Sequence, residues 1–222
     1  MAAFHPRPQD LPSEFAVFPL PGALLLPGGK LPLNIFEPRY LAMTLDSLAA
    51  GRMFAMIQPD PTQPEGPNGP ALYRIGCLGR LSSFSETDDG RLLITLTGLV
   101  RFAVDSELDM VRGYRRVRGD YARFLADLDE EQHPASCDRE KLLAALRGYF
   151  QRRQVDANWD AIRRMPDEAL VVTLAMACPF EPVEKQALLE APTPAERAAT
   201  LLALLQMGAA GPPDSPSGHT VS

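Results

Sequence analysis

Residues 91–104, RLLITLTGLVRFAV, carry the clearest strand signal in the chain, because an apolar side chain recurs at every second position. A period of two places such side chains on one face of a strand. They are Leu92, Ile94, Leu96, Val100, Phe102 and Val104. Gly98 interrupts the series in mid-strand, where glycine favours a bulge or a sharp bend. We therefore predict a long strand with one buried face, bent in the way that closes a small barrel.

The segments before this strand have further strand and turn signals. The turn at residues 87–90, Thr-Asp-Asp-Gly, has the Asp-Gly chemistry of a hairpin and pairs residues 91–104 with 73–84. Residues 60–70 are so rich in Pro and Gly that we expect an exposed loop. Three shorter strands are predicted at 14–20, 31–36 and 52–58.

One helix is predicted inside this strand region. Pro38 suits its first turn and Gly51 its C-terminal stop. Its apolar residues are Leu41, Leu45 and Leu48. The simplest architecture is a closed sheet with one embedded helix.

Helical periodicity replaces strand periodicity in the second part of the chain. From about Asp138, apolar residues recur at helical spacing, and further helices are predicted after Pro166 and near Pro182. The sequence Thr193-Pro194-Ala195-Glu196 combines a capping box with proline at the first helical position. The predicted fold class is α+β. Its ranges are a flexible N-terminus at 1–13, a β domain at 14–125, a small C-terminal helical bundle at 126–207 and a disordered tail at 208–222.

Composition limits the classes of function. The formal net charge of -6 opposes binding to phosphate backbones. No apolar run approaches the length of a membrane-spanning helix, and the first residues lack a signal-peptide core, so we expect a cytoplasmic protein. Cys77, Cys137 and Cys178 fit a reducing compartment. His133 and Cys137 are four residues apart, but Pro134 between them argues against a zinc site, and no metal is predicted.

Two stretches resemble a known family. The first contains Phe18-Pro19-Leu20-Pro21 and the run LPLNIFEPRY at residues 31–40. The second contains Pro179-Phe180 and EKQALLE at residues 184–190. They are similar to the opening and closing segments of the Lon protease substrate-binding (N-terminal) domain, especially its stand-alone bacterial forms. The resemblance implies a PUA-like β-barrel or pseudobarrel followed by helices, and a module that binds unfolded or extended polypeptide segments, with a separate protease or chaperone as a possible partner.

The sequence does not contain complete motifs for nucleotide binding or for serine-lysine proteolysis. At Gly28-Gly29-Lys30, Leu24 and Leu31 occupy the positions where a phosphate-binding loop needs glycine and a hydroxyl, so a glycine turn between strands is the better interpretation. None of the three lysines, Lys30, Lys141 and Lys185, lies near a serine motif. We therefore predict no catalytic residue and no cofactor. An uncharacterised peptidase or hydrolase remains an alternative by family association.

The candidate polypeptide-binding residues lie in the first family stretch. They are Leu33, Asn34, Phe36, Glu37, Arg39 and Tyr40, which could line an exposed groove or flank a sheet edge. The alternative is structural: Leu33 belongs to the core, and Asn34 and Glu37 satisfy backbone donors where the helix begins. Both interpretations stay open for Glu37, Arg39 and Tyr40. The oligomeric state is not predicted.

An RNA-binding PUA-like module is a further alternative, because residues 112–119 are rich in arginine and contain a tyrosine. On one continuous strand, however, Arg112, Arg116 and Arg118 would share one face opposite Val111 and Val117. That pattern is typical of a solvated strand face.

Overall fold

The structure, a computed structural model, describes residues 6–129 and 137–210. Its strands are β1 (Glu14–Pro19), β2 (Lys30–Ile35), β3 (Met53–Ile57), β4 (Ile75–Glu86), β5 (Leu92–Val111) and β6 (Tyr114–Asp120). They pair in the order β2-β5-β4-β3-β1-β6, and β6 also pairs with β5. The pairings therefore form a closed circuit through β5, β4, β3, β1 and β6, in which β1 and β3 are parallel and the other pairs are antiparallel.

The circuit closes because β5 is long enough to pair with both β4 and β6. β4 pairs with its first part, from Leu92 to Ala103, and β6 pairs with the rest, from Ala103 to Val111. The predicted hairpin between β4 and β5 is confirmed, with Gly90 in the left-handed region at φ 78°. The predicted α+β fold is also confirmed, and the closed circuit is what a barrel-like sheet requires.

Gly98 occupies the irregularity predicted in mid-strand. The register between β4 and β5 shifts beside it, since Leu78 lies opposite Val100 but Gly79 lies opposite Gly98. The Gly98 N–H donates to the carbonyl of Gly29 at 2.8 Å, and its own carbonyl accepts from the N–H of Gly28 at 3.0 Å. The glycine turn at 28–29 is therefore bonded directly to this bend in β5.

The embedded helix α1 (Pro38–Ala49) begins at the predicted proline, but its buried side chains are not the apolar set Leu41, Leu45 and Leu48. The buried side chains include Tyr40, Met43, Thr44 and Ser47, whereas Leu45 is 52% exposed. Thr44 can be buried because its hydroxyl donates to the Tyr40 carbonyl at 2.8 Å within the helix. The apolar character of a residue in α1 is therefore not sufficient to predict whether its side chain is buried.

The remaining α-helices follow in chain order: α2 (Arg139–Arg153), α3 (Trp159–Arg164), α4 (Asp167–Ala177), α5 (Pro182–Glu190) and α6 (Pro194–Ala210). The capping box before α6 is confirmed. The Glu196 carboxylate accepts from the Thr193 backbone at 3.0 Å, and the Glu196 N–H donates to the Thr193 hydroxyl at 3.1 Å. Short 3-10 helices occur at Pro8–Asp10 and Ala122–Leu128.

The contacts of the described residues divide them into two compact units. The first unit combines residues 6–129 with Val172–Glu190. The second combines residues 137–171 with 191–210. Of the predicted C-terminal tail, residues 208–210 are the last residues of α6, and the rest lies outside the described residues.

A buried ion pair ties α5 and the 3-10 helix Ala122–Leu128 to the sheet of the first unit. Arg101 on β5 donates to both carboxylate oxygens of Asp127, at 2.9 and 2.8 Å, and to the carbonyl of Leu189 at 3.1 Å. The two charged side chains are 4% and 11% exposed. Such a pair can persist in the interior because its charges neutralise each other.

Candidate functional site

The predicted binding residues lie where β2 ends and α1 begins. β2 pairs with β5 on one side, and within residues 6–129 and 137–210 no other strand pairs with it. Pro32 in the middle of β2 suits such an edge strand, because proline cannot donate to a hydrogen-bond ladder. Phe36 and Glu37 then connect β2 to Pro38, the first residue of α1.

The predicted residues separate into exposed and buried members. Phe36 is 60% exposed, Asn34 and Arg39 are also exposed, and Leu33 is partly buried. Tyr40 is only 6% exposed, and its ring lies 4.1 Å from that of Phe18. Burial raises the pKa of the Tyr40 hydroxyl. The Tyr40 side chain therefore packs in the core below the residues that face solvent.

Glu37 occupies the N-cap position of α1, but its side chain does not cap the helix. Its carboxylate instead accepts from the Arg39 guanidinium, with an Nε–Oε2 distance of 3.0 Å. The interpretation of Glu37 as a residue that satisfies backbone donors is therefore wrong. The Arg39 guanidinium also lies over the Tyr40 ring, 4.6 Å from its centroid. Glu37 and Arg39 thus form a charged rim beside exposed Phe36.

Two exposed residues of this region, Leu93 and Arg91, were not among the predicted binding residues. Leu93 on β5 lies directly opposite Asn34 on β2 and is 48% exposed. Arg91 lies over the Phe36 ring, with 5.8 Å from its guanidinium carbon to the ring centroid. The signal for Leu93 was present, since it is an apolar residue on the strand face that otherwise carries Thr95. We call the set Asn34, Phe36, Arg91 and Leu93 the β2–β5 patch.

The arginine-rich run does not form one continuous strand, which corrects the placement of Arg112. Arg112 and Gly113 form the turn between β5 and β6, both with positive φ. Each arginine of the run has a carboxylate partner. The pairs are Arg112 with Asp46, Arg115 with Glu107, and both Arg116 and Arg118 with Glu14. Guanidinium groups already neutralised in this way are poorly suited to binding phosphates.

Two of the three lysines, Lys185 and Lys141, have structural partners. Lys185 is buried and donates to the carbonyl of Gly22 at 2.7 Å, and burial lowers the pKa of its amine. Lys141 pairs with Asp138, the N-cap of α2, which raises the Lys141 pKa. Neither arrangement joins a lysine to a serine hydroxyl.

The two stretches that carry the family resemblance meet in the first unit. The Gln58 side-chain oxygen accepts a hydrogen bond from the Gly22 N–H at 3.1 Å. The Gln58 side-chain nitrogen donates to the Pro182 carbonyl at 3.0 Å. It also donates to the Gln186 side chain at 3.1 Å. The bonds from Gln58 and Lys185 therefore join the segment after β1 to α5.

The part of the chain that the structure describes contains no cluster of three or more His, Cys, Asp or Glu side chains able to hold a metal ion. None of its helices is long and apolar enough to cross a membrane. His133 lies outside the described residues.

Known proteins share this sequence pattern and fold. The family model of the ATP-dependent protease La (LON) substrate-binding domain matches residues 14–207. Lon protease of Flavobacterium johnsoniae is 24% identical over 97 residues, which cover 44% of this chain and 12% of that protein. The chain spans between 11% and 19% of the length of the curated relatives it matches.

Two solved structures have the same fold. A Lon N-terminal domain protein from Xanthomonas campestris has a TM-score of 0.58 and 24% identity, and the match covers 86% of this chain and 97% of that one. The N-terminal domain of Mycobacterium avium complex Lon protease has the same TM-score and coverage at 15% identity. With its fold and with a family match over most of its length, this chain belongs to the LON substrate-binding domain family.

Proposed function

We propose that the protein is a polypeptide-binding module that holds extended, unfolded segments at the β2–β5 patch and carries out no reaction on them. Family membership supports the general role of substrate binding. The observation that carries the choice of site is the exposure of Phe36 and Leu93, at 60% and 48%, beside the outer strand β2.

The chemistry of the patch suits an apolar segment without a fixed sequence. Phe36 and Leu93 offer apolar surface that gains free energy when it leaves water. The edge of β2 can pair with a guest backbone in any sequence context, although Pro32 removes one donor. Arg39 and Glu37 remain solvated at the rim. Leu33, which lies opposite buried Ile94, supports the patch from the other face of the sheet.

Such a site should bind any single segment weakly. The patch is small, and a guest chain must lose conformational freedom when it binds. Weak binding with little sequence preference suits a protein that samples unfolded chains. We further propose that it works in the cytoplasm as an adaptor in protein quality control, presenting bound chains to a separate protease or chaperone.

The proposal predicts that the double variant Phe36→Ser/Leu93→Thr binds a permanently unfolded protein about tenfold more weakly, equivalent to about 1.4 kcal/mol. The reason is the loss of both apolar contacts in one patch. Fluorescence anisotropy of a labelled, reduced and alkylated protein would give the affinity.

Leu45→Ser is the matched control, because Leu45 is 52% exposed on α1 and lies outside the patch. It should bind as the wild type does. The proposed site is wrong if the double variant and the control bind equally well. The proposed function is wrong if the wild-type protein binds the unfolded probe no better than it binds the same protein in its folded state.

A further inference from the structure

The second unit contains a groove of about 770 Å³ between the end of α2 and the start of α3. α2 stops at Gln154, which adopts a left-handed conformation with φ 53°. The Val155 N–H then donates back to the carbonyl of Phe150 at 3.0 Å, which reverses the chain. Asn158 caps α3 through the Ala161 N–H at 3.0 Å, so that α3 begins at Trp159.

Two aromatic side chains and a valine form the apolar part of the groove lining. The rings of Trp159 and Phe150 are tilted by 58° to each other with their centroids 6.1 Å apart, and both residues are only partly buried. Val155, which also lines the groove, is 41% exposed. These side chains leave an open surface to which an aromatic or branched aliphatic group could bind.

Arg147 adds a charge to this lining. Its guanidinium lies over the Trp159 ring, 5.4 Å from the centroid, while the residue as a whole stays exposed. No carboxylate lies within ion-pair distance of Arg147 among residues 137–210 or 6–129, whereas Arg163 across the groove pairs with Asp160 at 3.2 Å. Arg147 is therefore held in place by an aromatic ring but retains its capacity to bind a carboxylate.

The charge around the groove differs in sign from that of the chain. The charged residues that line the groove are Arg147, Arg163 and Asp156, which give an excess of one positive charge in a protein with a formal net charge of -6. This local excess attracts acidic groups. It also disfavours a basic segment as the occupant.

We propose that this groove is a second polypeptide-binding site, selective for a segment in which an acidic side chain lies next to an aromatic or aliphatic one. The carboxylate pairs with Arg147, and the apolar side chain packs against Trp159, Phe150 and Val155. This site goes beyond the proposed function of the β2–β5 patch, because it belongs to the other unit and selects for charge.

A peptide suits the groove better than a single-stranded nucleic acid. Bases stack on open aromatic faces, but Arg147 covers one face of Trp159. Asp156 also lines the groove and would repel a continuous row of phosphates.

The chain's only tryptophan is Trp159, so intrinsic fluorescence reports on this groove alone. A synthetic peptide of alternating Glu and Phe should change the emission in a saturable way. The same peptide with Gln in place of Glu should bind about tenfold more weakly, and added salt should weaken the Glu peptide. Anisotropy of a dye-labelled peptide gives the affinity when a variant alters the tryptophan signal itself.

Arg147→Gln should weaken the Glu peptide about tenfold. The control is Arg164→Gln, because Arg164 is also exposed, lies on α3 and does not line the groove. It should bind the peptide as the wild type does. Phe36→Ser/Leu93→Thr should also leave this affinity unchanged, which keeps the test independent of the β2–β5 patch.

Three outcomes would overturn the proposal. One is equal affinity for the Glu and Gln peptides, and another is an Arg147→Gln variant that binds like Arg164→Gln. The third is tighter binding of oligothymidylate than of the Glu peptide, which would assign the groove to nucleic acid.

Discussion

Replacing Arg101 by methionine is expected to lower the free energy of unfolding by about 3 to 5 kcal/mol. The guanidinium is 4% exposed and joins β5 to Asp127 and to the Leu189 carbonyl. Methionine fills part of the space but leaves the Asp127 carboxylate, 11% exposed, without its buried counter-charge. Chemical denaturation followed by circular dichroism would measure the loss.

Two variants make this test specific. Arg118→Met removes an exposed arginine whose pair with Glu14 lies on the surface, so it should cost far less. Arg101→Met/Asp127→Leu removes both buried charges and should recover part of the stability. If Arg101→Met is no more destabilising than Arg118→Met, the buried ion pair does not stabilise the fold as proposed.

A second large loss, about 3 kcal/mol or more, is expected for Gly98→Ala. A Cβ at this position would lie 2.7 Å from the carbonyl carbon of Leu26 and still closer to its oxygen. Backbone atoms cannot yield as a flexible side chain can, and both backbone groups of Gly98 are bonded to the turn at Gly28 and Gly29. Opening this contact would therefore disturb the pairing of β2 with β5.

Gly66→Ala is the matched control for the glycine substitution. A Cβ there would meet the nearest atom, the Gly69 carbonyl oxygen, at an ordinary distance of 3.9 Å. Thermal unfolding should show Gly66→Ala close to wild type and Gly98→Ala well below it. Similar unfolding temperatures for the two variants would contradict the proposed steric role of Gly98.

Local signals in the sequence were sufficient wherever one short segment determines the structure. The alternation of residues 91–104 predicted β5, and the bend at Gly98 followed from the lack of a side chain. The capping box at Thr193 fixed the start of α6. The alternation and the capping box are local patterns, and glycine alone indicated the bend, although the groups that bond to Gly98, at Gly28 and Gly29, are remote in the chain.

Features that depend on distant contacts could not be predicted in the same way. The apolar residues of α1 did not identify its buried side chains, because the Thr44 hydroxyl bonds within the helix and Thr44 is buried while Leu45 is exposed. The helix α3 and the 3-10 helix Ala122–Leu128 were missed because short elements have little periodicity. The grouping of α5 with the sheet rests on Gln58 and Arg101, whose partners are remote in the chain.

The sequence predicted which segment contains the candidate binding residues, but it did not predict which of their side chains are exposed together. Phe36 and Tyr40 are both aromatic and lie four residues apart, yet the first is exposed and the second packs on Phe18. Leu93 joins Phe36 only through the register of β2 with β5. Periodicity can assign a side chain to one face of a strand, but it does not identify the neighbouring strand.

The most direct test of polypeptide binding at the β2–β5 patch is site-specific photo-crosslinking. A photoreactive phenylalanine analogue would replace Phe36, and in a control protein it would replace Leu45, which has similar exposure. We predict that the Phe36 position crosslinks strongly to an unfolded protein and weakly to its folded form, while the Leu45 position gives little product with either. Equal crosslinking from the two positions, or no preference for the unfolded protein, would contradict the account.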